Sequence, residues 1–349
     1  MSSLKKLLPA IAFVTLSAFW GLAFLAIRIA VTEGLEPVSF VFLRVGLAGS
    51  IMLIVLAVIL ISNRKYISSA KLPSHFLGKM FLMALFNNSI PFISVAIASV
   101  KVNVGVVSIL DSGIPIFGSL FAPILLTNEK LSIHRVLGIG LGFSGVVAVC
   151  FHKVVADDLE VVWLPGYFLV VLACASYGWA SVFGKRFLQG VPNALAVTCQ
   201  LSFAALQCLV FAALYESKLS ILELYKYPMM MVEQVMNSST NAIISIFYVA
   251  IFASCFAYGL YFYLLKTIGA VRQTLVGYLL PFWGLMAGIL VQNEWDGVSF
   301  IYKFLEILGT ALIIMGVVVV QQEKKRSESQ LLINTDSAMD VLLSVDVDQ

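Results

Sequence analysis

The chain reads as an all-α membrane protein of ten transmembrane helices, arranged as two inverted five-helix repeats. Three observations predict this. Ten apolar stretches fill the sequence from Leu8 to Val320. Each is near the ~20 residues needed to cross a hydrocarbon core of roughly 30 Å, whereas barrel strands would be shorter and alternating. Hydrophobic residues make up 60% of the chain and charged residues 12%, with a mean hydropathy of +0.99, too little charge to cover a soluble domain of 349 residues. Finally, motifs of the first half return in the second.

The stretches run in order as Leu8–Val31, Val38–Ile61, Phe76–Ala98, Val102–Leu125, Arg135–Phe151, Trp163–Phe187, Ala194–Tyr215, Asn241–Leu265, Val271–Val291 and Ile301–Val320. The first is too long for a signal peptide's apolar region, lacks a small-x-small cleavage site and is followed at once by another span, so it is read as a mature helix. An even number of spans puts both termini on one side. That side collects fifteen Lys and Arg residues, among them Lys5, Lys6, Arg64, Lys130, Lys185, Arg186, Arg272 and Lys324–Arg326. The other side collects only Lys101, Lys153, Lys218, Lys226 and Lys303. The asymmetry predicts cytoplasmic termini and explains the net charge of +3 as topology, without nucleic acid.

The repeat is visible residue by residue. Leu137-Gly138, followed seven residues later by Gly145-Val146-Val147, returns as Leu308-Gly309 and Gly316-Val317-Val318. Upstream of each lie an intraspan proline, Pro115 or Pro281, and an Asn-Glu pair, Asn128-Glu129 or Asn293-Glu294. Trp20-Gly21 with Arg28 corresponds to Tyr177-Gly178 with Lys185. Five spans per half is an odd number, so the second copy must insert upside down, the plan of many secondary transporters. Predicted units are 8–151, 163–320 and a polar, disordered cytoplasmic tail, 321–349.

These residues resemble the EamA-like members of the drug/metabolite transporter superfamily: Phe19-Trp20-Gly21, then Pro37 and Arg44, then the Pro115 and Pro281 helices closed by Glu129 and Glu294. The resemblance covers Pro9 to Gln321 and rests on the order of short motifs through two copies. It implies ten helices in inverted repeats and the export or exchange of small metabolites. The halves depart from each other: Leu201 stands where Arg44 would correspond, and Tyr177 where Trp20 would. Unequal contributions to binding follow.

Ionisable groups deep in a span are costly, at least ~2.5–3.5 kcal/mol each on insertion scales, and therefore informative. Arg44 and Asp111 stand out, and Asp111 reads as the one embedded acid. They lie roughly 9 and 13 Å below the same membrane face, counted at 1.5 Å per residue from Val38 and Val102. Two readings stand: a fixed Arg44–Asp111 ion pair joining helices, or Arg44 holding a substrate carboxylate with Asp111 as its resting partner or a proton carrier. Arg28 is expected to snorkel to the interface. Ser108, Asp111, Ser112, Pro115 and Ser119 form a polar stripe on the fourth span, facing either a cavity or neighbouring helices. Asn87 and Asn88, at mid-depth in the third span, could bond a polar substrate or tie helices. Trp20 and Tyr177 are candidate walls of the site, joined by the polar-tipped Tyr258, Tyr261, Tyr278 and Trp283. Candidate substrate-binding residues are thus Trp20, Arg44, Asn87, Asn88, Asp111, Tyr177 and Tyr278. Gly138-xxx-Gly142 and Gly284-xxx-Gly288 suit close helix packing, inside a monomer or across a homodimer.

Other functions fit less well. Gly142-Phe143-Ser144-Gly145 matches a rhomboid-like serine-protease pattern, yet no histidine lies inside a span to act as base. An aspartyl protease needs two carboxylates, and a channel needs charge rings or carbonyl filters. No phosphate-binding loop points to ATP, no cofactor is implied, and the three histidines and five cysteines have no metal-ligand spacing. A scaffold role has no large extramembrane region to recommend it. A nucleotide-sugar or other phosphorylated-metabolite exchanger would want more buried Lys or Arg. Asn237-Ser238-Ser239 is a glycosylation pattern on the outer side, and Glu328-x-x-x-Leu332-Ile333 resembles an acidic dileucine signal. Together they hint at a eukaryotic plasma or endosomal–vacuolar membrane; without them a bacterial inner membrane fits equally. The reading is a secondary transporter of a small polar metabolite, an amino acid or organic acid, working by alternating access.

Overall fold

The computed structural model describes residues 2–68, 72–126, 133–156, 164–216, 218–219, 225–268 and 274–319. Most of those residues are helical, and no strand is found among them. The predicted Asn128-Glu129 pair, the tail with its dileucine pattern and several loop lysines and arginines lie outside them. The apolar helices are α1 Ser2–Thr32, α2 Pro37–Ser62, α3 Phe76–Ser99, α4 Val104–Leu125, α5 Ile133–Ala156, α6 Leu164–Phe187, α7 Asn193–Glu216, α8 Thr240–Leu264, α9 Leu280–Gln292 and α10 Phe300–Val319.

Eight of these are long and apolar enough to cross a membrane; α5 and α9 carry shorter apolar runs, Val136–Val149 and Val276–Gln292. The expectation of ten spans, each about long enough to cross, is met by length at eight helices and not at α5 and α9. In α5 the apolar run is bounded by His134-Arg135 and His152-Lys153. In α9 regular helix starts only at Leu280, after a 3₁₀ stretch Thr274–Leu279. Thirteen α-helical residues give roughly 20 Å and six 3₁₀ residues roughly 12 Å more, so the composite still has a bilayer's reach.

The packing is symmetric in sequence order. α2 lies against α7, and α4 against α9; α1 packs on α8 and α9, while α6 packs on α3 and α4. Also, α3 meets α7 as α8 meets α2. Exchanging the two halves, α1 for α6 through α5 for α10, turns each pairing into another of the set or into itself. The α5–α10 pair meets through glycine: a Cβ on Gly316 would sit 2.5 Å from the Gly138 carbonyl, and one on Gly145 would sit 2.6 Å from the Gly309 carbonyl. Gly284 seats Ser108 of α4, and Gly288 seats Glu294. Both predicted small-residue motifs are therefore used inside the bundle.

Three helices are irregular where the site forms. α3 widens into a π turn at Leu85–Ser89, just before Pro91. Proline lacks an N–H and its ring would collide with the carbonyl four residues back, so the wider turn relieves both problems. α4 breaks at Ser112-Gly113 before Pro115, ending one segment at Asp111 and starting the next at Ile114. α8 is π-helical over Tyr248–Phe256.

Candidate substrate site

The breaks bring unmet polar groups together at mid-depth. Arg44 on α2 is 6% exposed, and its guanidinium lies over the Phe92 ring of α3, 4.0 Å from the centroid. Its Nε has no hydrogen-bond partner. Tyr177 of α6 and Tyr258 of α8 are its electrostatic neighbours, with Cys208 of α7. Asn88, wholly buried, sits beside Tyr258, yet neither its amide nitrogen nor its oxygen completes a hydrogen bond. Asp111, also 6% exposed, has an unpartnered Oδ1 and lies within electrostatic reach of Tyr177 and Cys174. Tyr177 is thus an electrostatic neighbour of both the cation and the acid. They do not pair with each other, so the expected Arg44–Asp111 ion pair is absent: similar depth does not fix the direction in which each side chain points.

The remaining candidates divide. Tyr177 meets Phe92 edge-on at 6.4 Å. Trp20 is one ring removed: it packs on Tyr261 at 6.2 Å, and its Nε1 donates to the Ala253 carbonyl in the π segment of α8, at 3.2 Å. Asn87 is engaged, donating to Gln200 Oε1 at 2.9 Å. Tyr278 lies in the 3₁₀ stretch with its hydroxyl buried and unpartnered, and no described contact joins it to Arg44. The serine stripe is satisfied locally. Ser108, Ser112 and Ser119 donate to their own helix at Gly105, Ile109 and Pro115, leaving Asp111 as its one member with an unmet atom. Trp283 donates to Ser17 Oγ at 2.9 Å. Ser144 donates to the Gly140 carbonyl at 2.9 Å.

Sequence reading passed over several groups. Gln200 and Gln207 on α7 tie that helix to Asn87 and Ser89 of α3; their seven-residue spacing in an apolar span was a readable signal. Glu306, 6% exposed in α10, is a second embedded acid and accepts from Trp295 Nε1 at 2.8 Å. The reading of Asp111 as the only one is corrected by it. Arg28, expected to snorkel to the interface, donates to the Ser99 carbonyl that ends α3.

The far end of the bundle, where α1 and α3 finish and α2 and α4 begin, is organised by carboxylates. Glu216, at the end of α7, accepts from Val38 N at 2.6 Å, Ser39 N at 2.9 Å and Ser39 Oγ at 2.7 Å. Tyr227, from the short helix Tyr227–Asn237, shares a 2.8 Å hydroxyl bond with Ser39; burial pushes its phenol up to about 12. Glu294, just past α9, accepts from Val104 N and from Gly105 N at 3.0 Å. Burial raises the Glu294 carboxyl above its ordinary range, while those amides and nearby Arg28 pull it down. Ser239, the third residue of the glycosylation pattern, spends its hydroxyl on Glu33 and on capping Ala242 N.

Relatives place this geometry. The chain is 25% identical over 306 residues to an uncharacterized transporter of Archaeoglobus fulgidus, covering 88% of this chain and 96% of that one. It is 23% identical over 318 residues to the uncharacterized inner membrane transporter YedA of Escherichia coli, covering 90% and 92%. A solved crystal structure shares the fold at a TM-score of 0.56 and 16% identity, covering 92% of this chain and 98% of that one. The model of the EamA-like transporter family matches twice, over residues 7–151 and 164–321. With both halves matched, the chain belongs to the EamA-like transporter family.

Proposed function

We propose that this membrane transporter moves a small polar metabolite bearing a carboxylate, an amino acid or organic acid, by alternating access between two inverted five-helix repeats. One observation carries the reading: a buried arginine with no counter-charge among the described residues. Leaving a charge uncompensated in a low-dielectric interior is costly, and a ligand carboxylate at the guanidinium would offset that cost. Asn88 would bond the ligand's polar atoms and Asp111 would balance charge. Tyr177 and Tyr258 would wall the site beside Arg44, with Trp20 backing them through Tyr261. A single buried cation suits one carboxylate better than a diphosphate, which speaks against a nucleotide-sugar exchanger. The exchangeable pairing of the helices supports the inverted repeat, and the lysine and arginine asymmetry supports cytoplasmic termini. The glycine motifs, used up inside the bundle, favour a monomer.

The test is metabolite efflux and uptake in cells expressing wild type or Arg44→Ala at matched surface abundance. Loss of a defined amino-acid or organic-acid flux with Arg44 is the expected result. Flux that survives the substitution would move the site to the aromatic rings. A wild type that changes no metabolite in a broad panel would count against transport of this class.

A further inference from the structure

We infer that Glu216 and Glu294 are gating residues, two clasps that hold the far end of the bundle closed over the site. The inference rests on the transport reading above. Each carboxylate comes from the second half of the chain and grips the first turn of a helix in the other half: Glu216 on α2, Glu294 on α4. Those two helices carry the unmet charges, Arg44 six residues beyond Val38 and Asp111 seven beyond Val104.

Ordinary helix capping does not explain the arrangement. The N-cap residues are Glu36 and Asn103, and neither makes a side-chain cap, although asparagine is among the strongest local cappers. The exposed amides are met instead by residues 178 and 190 positions away. Local caps would stabilise each helix by itself; these caps stabilise one position of the two halves relative to each other. A carboxylate on main-chain N–H groups is also a releasable bond. When α2 or α4 slides or tilts, the amides and the carboxylate both reach water, and no side chain has to repack. The Tyr227–Ser39 hydroxyl bond reinforces the first clasp. Arg28 lies near the second but donates to Ser99, so it is no substitute for the α4 amides.

The experiment uses the full-length chain, stripped of its five cysteines, with Asn88→Cys as a buried reporter at the site. A membrane-impermeant maleimide is added outside intact cells. Glu216→Ala and Glu294→Ala should each raise the labelling rate about fivefold, the population shift expected when one such bond is lost. Glu216→Asp and Glu294→Asp keep the charge but are too short to hold both amides. They should move labelling in the same direction and stand in where an alanine form fails to reach the surface. Unchanged labelling in surface-expressed forms would overturn the gate and leave two static caps. Wild-type flux, measured in parallel, separates the two ideas. Flux with unmoved labelling sinks the gate alone, and moved labelling without any flux sinks the transport reading alone.

Discussion

The far end and the middle of this bundle treat several of their polar groups in opposite ways. At the far end Glu33, Glu216 and Glu294 all have donors, and Arg28 has an acceptor. At mid-depth Arg44, Asn88 and Asp111 each keep an atom with none. The far end is worse placed to need such care, since water is close by; the middle has no solvent to fall back on. On the transport reading, the atoms left unmet at mid-depth are reserved for a ligand. Removing a satisfied group should therefore cost stability, and removing an unmet one should cost function.

The largest effect is expected at Arg44. Arg44→Ala should lower flux at least tenfold, the equivalent of about 1.4 kcal/mol of lost substrate contact. Its unfolding temperature in detergent should stay near that of wild type, because no protein partner is orphaned. A large drop in that temperature would break the comparison. Glu294→Ala should do the reverse. It strands the Val104 and Gly105 amides, for which about 1–3 kcal/mol of stability is the usual cost, readable as a lower melting temperature of the purified protein.

The two asparagines sharpen the contrast within one turn of helix. Asn87→Ala breaks the bond to Gln200 and should cost about 0.6–1.7 kcal/mol, the range for interhelical hydrogen bonds in membranes. Asn88→Ala should leave stability unchanged or slightly improved and reduce substrate affinity, measured as a raised half-saturation concentration. The smallest effect is a pH slope. A carboxyl raised in the folded state favours folding in its protonated form. The Glu294 contribution is then present below its ordinary 4.5 and lost as pH climbs through the higher folded value. Glu294→Gln should remove that increment from the thermal stability of the solubilised protein.

Much of this was legible in the sequence, for a physical reason. The order of the apolar helices follows from hydrophobic length, a local property, and the repeat follows from residue order. Arg44 and Asp111 announce themselves because a charge in hydrocarbon is rare. What sequence could not supply was azimuth. Two residues at one depth looked like a pair, but depth does not fix where either side chain points, and both the break at Ser112-Gly113 beside Asp111 and the π turn at Leu85–Ser89 in α3 redirect side chains. The same π turn sends Asn87 to Gln200 and leaves Asn88 unmet, a difference that adjacent identical residues cannot announce. The clasps were hidden for another reason. Glu216 and Glu294 lie at helix ends, where an acid reads as ordinary solvent-facing charge, and their partners are main-chain groups with no signature in the alphabet.

The glycine seam between α5 and α10 bears on how such a molecule can change over generations. Gly145 faces Gly309, and Gly316 faces Gly138 and Gly142, main chain against main chain. Two copies of an ancestral five-helix unit are free to drift apart wherever each has its own neighbours, as the Arg44 and Leu201 positions have done. Along the seam each copy's main chain packs against its twin's. A first methyl on either side meets an immovable carbonyl, and no compensating loss is available opposite, because nothing smaller than glycine exists. The seam is where the two halves must stay alike so that the rest can differ.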